Sequence, residues 1–260
     1  MGYLHEGHLR LVDRARELCD RVILSIFVNP LQFGPQEDLD RYPRDLERDR
    51  KLAGARGVDC LFVPAAAAMY PSEPVARVGA GPVADTLEGA ARPGHFSGVL
   101  TVVAKLFHLV EPDVAVFGRK DFQQAMLVKR MAQDLDFPIA IDVAATVREL
   151  DGLALSSRNG YLSSDERRSA LALSRALRAL EQAWRAGEAD PAKLQRIGLD
   201  ALRAPLVTPE YCALVDENVE PVSRVTARTV AVVAARVGKT RLLDNVVLGE
   251  GFGADPRVSP

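Results

Sequence analysis

The chain has 260 residues, 48% of them hydrophobic and 26% charged, enough for a large buried core in one or two domains. Its 33 Lys and Arg stand against 35 Asp and Glu, so no strong net field draws it to nucleic acid or to an anionic membrane. Cys19, Cys60 and Cys212 are far apart and form no CxxC pair, which argues against a disulfide framework or a zinc ribbon and fits a reducing cytoplasm; no apolar run approaches the roughly 20 residues of a membrane span.

Leu9, Val12, Ala15 and Cys19 recur at helical spacing with Arg10, Asp13, Arg14 and Glu17 between them, which predicts an amphipathic helix over 8–19. RVILSIFVN at 21–29 is a continuous apolar run with branched residues, the pattern of a strand buried on both faces of a parallel sheet. A polar, helical stretch near 38–56 leads to a second short strand, VDCLFVP at 58–64, and such alternation implies crossover units. Residues 65–95, rich in Pro, Gly and Ala without a clean period, are expected to form a long functional loop with short helical pieces. GVLTVVAKLFHLVEP at 98–112 reads as a buried helix ended by Pro112, DVAVFG at 113–118 as a strand, KDFQQAMLVKRMAQDL as a helix and IAIDVAATV at 139–147 as a strand. Residues 1–147 are thus expected to form a Rossmann-like, doubly wound α/β domain.

After Val147 the texture changes. LSSDERRSALALSRALRALEQAWRAGE carries a serine cap at Ser163 or Ser164, acids in its first turn and apolar spacing through Trp184, so a long helix is expected, with a second over 191–203. Strand patterns around YCALVD, TVAVVAARV and TRLLDNVVL, separated by polar turns, favour a small antiparallel sheet against the two helices. Residues 148–260 therefore read as a smaller α+β domain.

His5 and His8 flank Gly7 where the first helix begins. A helix N-terminus attracts phosphate, glycine lets a ligand approach the backbone, and imidazoles there can donate to phosphate oxygens as charge develops. The plainer alternative is a pair of exposed cap residues. HEGH is not an HExxH zinc helix, because the histidines are three apart and only His95 and His108 remain elsewhere. Asn29 and Gln32, at the end of the first strand, suit hydroxyls or a carboxamide, or simply a turn around Pro30. In FGRKDFQQ, at another strand end, Lys120 suits a phosphate, Asp121 a magnesium ion or a ribose, and Gln124 the same crevice as Gln32. Ser156, Ser157 and Arg158 pack two hydroxyls and a guanidinium together, a cluster suited to the β and γ phosphates of a nucleotide or to an interdomain linker. Glu88, Arg92 and His95 precede the buried helix, and chemistry alone assigns them no catalytic role.

Taken together, MGYLHEGH, SIFVNPLQF, RYPR, LEGAARPGHFSGVLTVVAKL, FGRKDFQQ, TVRELDGLALSSRNGYL and RLLDN strongly resemble the pantothenate synthetase (pantoate–beta-alanine ligase) family over nearly the whole chain. The resemblance implies an enzyme that activates pantoate with ATP and Mg²⁺ to pantoyl adenylate and pyrophosphate, after which beta-alanine attacks to release pantothenate and AMP. It also implies a homodimer. It places ATP against Met1, Gly2, His5, Gly7, His8, Gly118, Lys120, Asp121, Val147, Leu155, Ser156, Ser157 and Arg158. Pantoate falls to Phe27, Gln32, Val103 and Gln124, with Asn29, Glu88 and Arg92 near that pocket or its flanking loop. Leu155 stands where the family commonly has methionine, a conservative change. Two other readings remain at this point: an adenylyltransferase acting on a phosphate ester, and a catalytically impaired remnant.

The remnant reading comes from the start of the chain. Family members carry a few dozen residues ahead of the histidine motif, including a first sheet strand and a Pro-Thr. The expectation is that the natural product starts upstream and that Met1 is an internal methionine. In a doubly wound sheet of order 3-2-1-4-5 the first strand is central. Without it, the helix over 8–19 is expected to pack over a slot, with residues 22–28 and 114–117 about 9–10 Å apart, twice the strand spacing, and no ladder bonds between them.

Overall fold

The computed structural model describes residues 2–34, 39–252 and 257–258. The chain divides into two compact units, Met1–Gly118 with Gln123–Ala144, and Arg119–Phe122 with Ala145–Pro260. The division after Ala144 differs from the expected boundary at Val147 by three residues, and the short segment Arg119–Phe122 joins the second unit.

The first unit opens with α1 (Glu6–Leu18), β1 (Ile23–Ser25), a 3-10 turn at Pro30–Gln32, α2 (Leu46–Ala55) and β2 (Cys60–Phe62). The expected loop follows, with only α3 (Ala66–Met69), a 3-10 turn at Pro82–Asp85 and α4 (Glu88–Ala91) in it. Then come α5 (His95–Val110), β3 (Val114–Gly118), α6 (Phe122–Asp134) and β4 (Ala140–Ala144). β1 pairs with β2 in parallel, Leu24 opposite Leu61, and β3 with β4 in parallel, Val116 opposite Asp142. These are two β-α-β units, in which the crossover helix brings the second strand back alongside the first.

Among the described residues no ladder bond joins β1 to β3, the feature expected of a slot between them. The run over 21–29 differs from its expectation accordingly. Only three of its residues enter a ladder, and Ile23 is 46% exposed instead of buried on both faces. All five residues of β3 are half-buried. A strand paired along one edge leaves the other open, and apolar residues beside the open edge keep contact with solvent.

Helix α1 spans the two strand pairs. Leu9 and Val12 join Val22, Leu24 and Ala53 in one apolar cluster on the β1 side. On the other side Arg14 forks onto Asp142 of β4, Nε–Oδ1 3.0 Å and Nη2–Oδ2 3.1 Å, and its neighbour Leu11 lies against Gly118. The remaining apolar weight sits on α5, where Phe96, Val99, Leu100, Val103 and Phe107 are buried with Leu127, Val128 and Met131 of α6.

The second unit contains β5 (Arg148–Glu149), α7 (Ser164–Arg185), α8 (Pro191–Ala201), β6 (Val207–Val215), β7 (Val230–Val237), β8 (Thr240–Val247) and β9 (Arg257–Val258). Ser163 caps α7 in a reciprocal box with Glu166, and Asp190 caps α8 ahead of Pro191. The three long strands form the expected antiparallel sheet in the order β6-β7-β8. Leu173, Leu177 and Leu180 of α7 and Leu194 of α8 pack with Val233, Ala235 and Leu242 of that sheet. Each such leucine contributes about 1.5–3 kcal/mol by leaving water. α8 approaches β6 closely at Gly198, where a methyl group would lie 2.5 Å from Cys212 Sγ. Burial pushes the Cys212 thiol up to about 12, so it packs as a small apolar group. The parallel pair β5-β9 is an element the sequence pattern did not signal.

Candidate active site

In the first unit His5 is the N-cap of α1, in extended backbone conformation. Its Nδ1 accepts from Gly7 N at 3.1 Å, and Nδ1 of His8 accepts from His5 N at 3.4 Å, a capping box built from two histidines. A backbone N–H only donates, so both Nδ1 atoms are acceptors and each neutral ring carries its proton on Nε2. The rings stack with centroids 4.0 Å apart. Folding of the helix end thereby selects the tautomer, and two Nε2–H groups stand at the positive end of the helix dipole. The lead into this motif is held from α2: buried Asp49 accepts from Tyr3 N at 2.7 Å and Leu4 N at 2.6 Å. Tyr3 has φ 51°, a conformation costly for a tyrosine, and these bonds keep it there.

Asn29 and Gln32 come together at the 3-10 turn after β1. Asn29 Nδ2 donates to Gly98 O at 3.0 Å and to Gln32 Oε1 at 3.3 Å, while its Oδ1 accepts from Tyr70 Oη at 2.9 Å. Burial pushes the Tyr70 phenol up to about 12, so it stays a donor at neutral pH. The Gln32 carbonyl is gripped by His95 Nδ1 at 2.8 Å and Arg92 Nη2 at 3.2 Å. A carbonyl acceptor makes Nδ1 of His95 the N–H, and Nε2 then accepts from Arg92 Nη1 at 3.0 Å. Phe27 packs on the apolar cluster that contains Val103, with its ring 6.2 Å from that of Tyr70. Gln124 is half-buried at the start of α6. Its neighbour Gln123 is buried, donates to Val83 O and Thr86 O and accepts from Glu88 N, which ties the long loop to α6.

Gly118 ends β3, and the chain passes directly into the turn that carries Lys120 and Asp121, the start of the second unit's share. Lys120 Nζ lies 3.6 Å from Asp121 Oδ1. Lys120, Ser156, Asn159 and Asp244 line one small recess. Ser156 caps the 3-10 turn Ser157–Tyr161, its Oγ accepting from Arg158 N at 3.3 Å. Asn159 anchors that turn by donating to Glu149 Oε1 and Ala154 O. Leu155 N donates to Val147 O at 2.9 Å, so the two residues expected at the adenine sit side by side. Met1 lies outside the described residues.

The family model for pantoate-beta-alanine ligase matches residues 1–247. The chain belongs to the pantoate–beta-alanine ligase family. It is 51% identical to the pantothenate synthetase of Pelotomaculum thermopropionicum over 96% of this chain and 89% of that one. The pantothenate synthetase of Thermus thermophilus superimposes with a TM-score of 0.92 at 50% identity, covering 95% of this chain and 91% of that one. A pantoate-beta-alanine ligase from Francisella tularensis, solved in complex with Beta-gamma ATP and Beta-alanine, gives a TM-score of 0.80 at 33% identity, covering 97% and 89%. These family structures share the α/β architecture with parallel strands and a smaller C-terminal domain.

Four residues that bond to the backbone or side chains of the candidate residues carry no motif signal for that role: Asp49, Tyr70, Gln123 and Asn245. Asp49 and Gln123 look like ordinary helix-surface residues in the sequence. Asn245 left a trace, as half of a polar pair inside the apolar strand TRLLDNVVL.

Proposed function

We propose that the protein condenses pantoate with beta-alanine, cleaving ATP to AMP and pyrophosphate. In the first step a pantoate carboxylate oxygen attacks the α-phosphorus, forming an O–P bond as the bond to the leaving pyrophosphate breaks. In the second the beta-alanine amine attacks the acyl carbon. The amide C–N bond forms, the acyl–oxygen bond to AMP breaks, and the amine gives up a proton. The observation that carries this reading is the tautomer-locked histidine pair at the N-terminus of α1, in a chain matched by the ligase family over 1–247.

In-line displacement at phosphorus asks mainly for positioning and for neutralisation of charge. His5 and His8, with Gly7 leaving room for the triphosphate, donate through Nε2–H, and Lys120, Ser156, Ser157 and Arg158 hold phosphate oxygens. Met1 and Gly2 border the nucleotide, with Gly118 and Asp121 on the ribose side and Val147 and Leu155 on the adenine side. Gln32 and Gln124 hold pantoate's hydroxyl and carboxylate, and Phe27 and Val103 line its gem-dimethyl groups. Asn29, Tyr70, Arg92 and His95 support Gln32 through the bonds described above. Bound with the triphosphate, Mg²⁺ would offset its charge, and the carboxylate of Asp121, suited either to a magnesium ion or to the ribose, is the hard oxygen donor that would hold it. We read the two β-α-β units as halves of a Rossmann-like nucleotide-binding domain over 1–147, with 148–260 as a lid domain, and the working form as a cytoplasmic homodimer.

The test is isotope exchange between pyrophosphate and ATP, followed by AMP release. Exchange that requires pantoate, and AMP release that then requires beta-alanine, are expected. Exchange supported only by a phosphate ester would make the protein an adenylyltransferase, and no exchange with any acid would make it an inert member of the family.

A further inference from the structure

We propose that Asn245 is a positioning residue for Lys120: it fixes the backbone on both sides of the lysine, and the buried Arg148–Asp244 pair exists to hold Asn245. The proposal rests on the reading of Lys120 as a phosphate ligand. Asn245 sits on β8 opposite Val232, 3% exposed, among residues of the same face such as Val230, Ala234 and Leu243. From there its Nδ2 donates to Arg119 O and to Lys120 O, each at 2.9 Å. Those carbonyls belong to the two peptide planes that flank the Lys120 Cα. Pinning both planes fixes φ and ψ of Lys120 and hence the direction in which its side chain leaves the backbone. A second tether, Arg119 Nη1 to Glu250 Oε2 at 2.5 Å, steadies the same turn.

Asn245 is in turn held from behind. Asp244 Oδ1 accepts from Asn245 N at 2.7 Å, and Arg148 Nη2 donates to Asn245 O at 2.9 Å. Arg148 and Asp244 form a fork with Nη1–Oδ2 2.6 Å and Nη2–Oδ1 2.9 Å, at 0% and 1% side-chain exposure. The guanidinium also donates to Gly152 O and lies over the Phe252 ring, 4.3 Å from its centroid.

Stability alone does not account for this arrangement. A buried ion pair rarely outdoes apolar residues of equal volume, because desolvation cancels most of the attraction. Asn245 Oδ1 is buried with no hydrogen-bond partner among the described residues, a standing cost that leucine would not carry. What leucine lacks is the pair of N–H groups on the carbonyls flanking Lys120. The chemistry that remains is orientation of a cation, by a network that spends buried polarity on it.

The test is a double-mutant cycle on the whole protein with two readouts: the Kd of an ATP analogue with a methylene bridge between the α and β phosphorus, which the reaction cannot cleave, and the rate of pyrophosphate exchange with its KM for pantoate. Asn245→Leu is expected to melt no lower than the parent, to weaken the analogue and slow exchange about tenfold or more, and to leave the pantoate KM within about twofold. Lys120→Ala alone weakens the analogue; adding Asn245→Leu to it costs less than about twofold more, because the group being aimed is gone. Asn245→Ser, whose hydroxyl sits one bond short of Nδ2 and reaches neither carbonyl at hydrogen-bond distance, is expected to lose as much as the leucine variant. Parent-like analogue binding in Asn245→Leu, full additivity with Lys120→Ala, or equal losses for ATP and pantoate would each overturn the proposal, as would a leucine variant that fails to fold. Lys120→Ala with parent-like analogue binding would instead overturn the phosphate-site reading itself.

Discussion

At the scale of single residues, the histidine pair shows how a fold can choose a tautomer. Each Nδ1 is used up as an acceptor of a backbone N–H at the start of α1, so each neutral ring carries its proton on Nε2. On the proposed reading, cap and phosphate donor share one side chain, and the two roles separate by substitution. His8→Ala removes both, so pantoate-dependent exchange is expected to fall about 10²-fold or more. Stability should drop by about 1 kcal/mol with the lost cap. His8→Asn returns an acceptor oxygen near the position of Nδ1, and should recover most of the stability without the exchange. Urea melts and exchange rates on the two variants check this; recovered exchange in His8→Asn would mean the ring does no more than cap. The residues of this motif were legible in the sequence because capping acts within four positions. Their tautomers were not, because the donors come from the folded helix end.

At the scale of elements, the sites that matter are places where backbones touch. A methyl group on Gly98 of α5 would stand 2.1 Å from Leu31 O and 2.7 Å from Gln32 N. These atoms belong to the 3-10 turn that carries Gln32, and Gly98 O also receives Asn29 Nδ2. Gly98→Ala must therefore push that turn away from α5. Destabilisation of about 1–3 kcal/mol is expected, together with a raised KM for pantoate and an unchanged KM for ATP. Steady-state kinetics would refute this by showing both constants moved alike. The helices themselves were readable from apolar spacing and caps, α7 down to its Ser163 box. The strand β1 is shorter and more exposed than its apolar run over 21–29 predicts, since such a run reports a tendency toward sheet but not how many neighbours the strand will find.

For the molecule as a whole, the first unit is held less by its sheet than by what crosses it. β1-β2 and β3-β4 stand as separate pairs, and α1 joins them through its apolar cluster on one side and the Arg14–Asp142 fork on the other. Hydrogen bonds to Asp142 and to Glu17 push the Arg14 guanidinium further up from its already high ordinary pKa, so it keeps its charge. In the second unit β7 is bonded along both edges, by β6 and β8. Hydrogen exchange should reflect the difference: amides of β7 are expected to be the slow class, and the alternate amides of β1 and β3 that face away from β2 and β4 to exchange about 10²-fold faster or more. Uniform protection along β1 and β3 would show that their second edges are covered.

The sequence by itself determined what acts over short distances along the chain. It specified the Ser163 cap, the alternation of strand and helix, an antiparallel sheet built from the three strand patterns now seen as β6, β7 and β8, and the place of the histidine motif at a helix start. Only the tertiary structure decided which polar groups meet across long separations. Asn245 reaches the carbonyl of Lys120 from 125 residues away, Arg148 meets Asp244 over 96, and Arg14 meets Asp142 over 128. A cap is set by a few neighbouring dihedrals and leaves its signature in adjacent letters. A contact of this second kind depends on strand register and on the path of every intervening turn, so the letters on either side of it look like any other polar residue until the chain has closed.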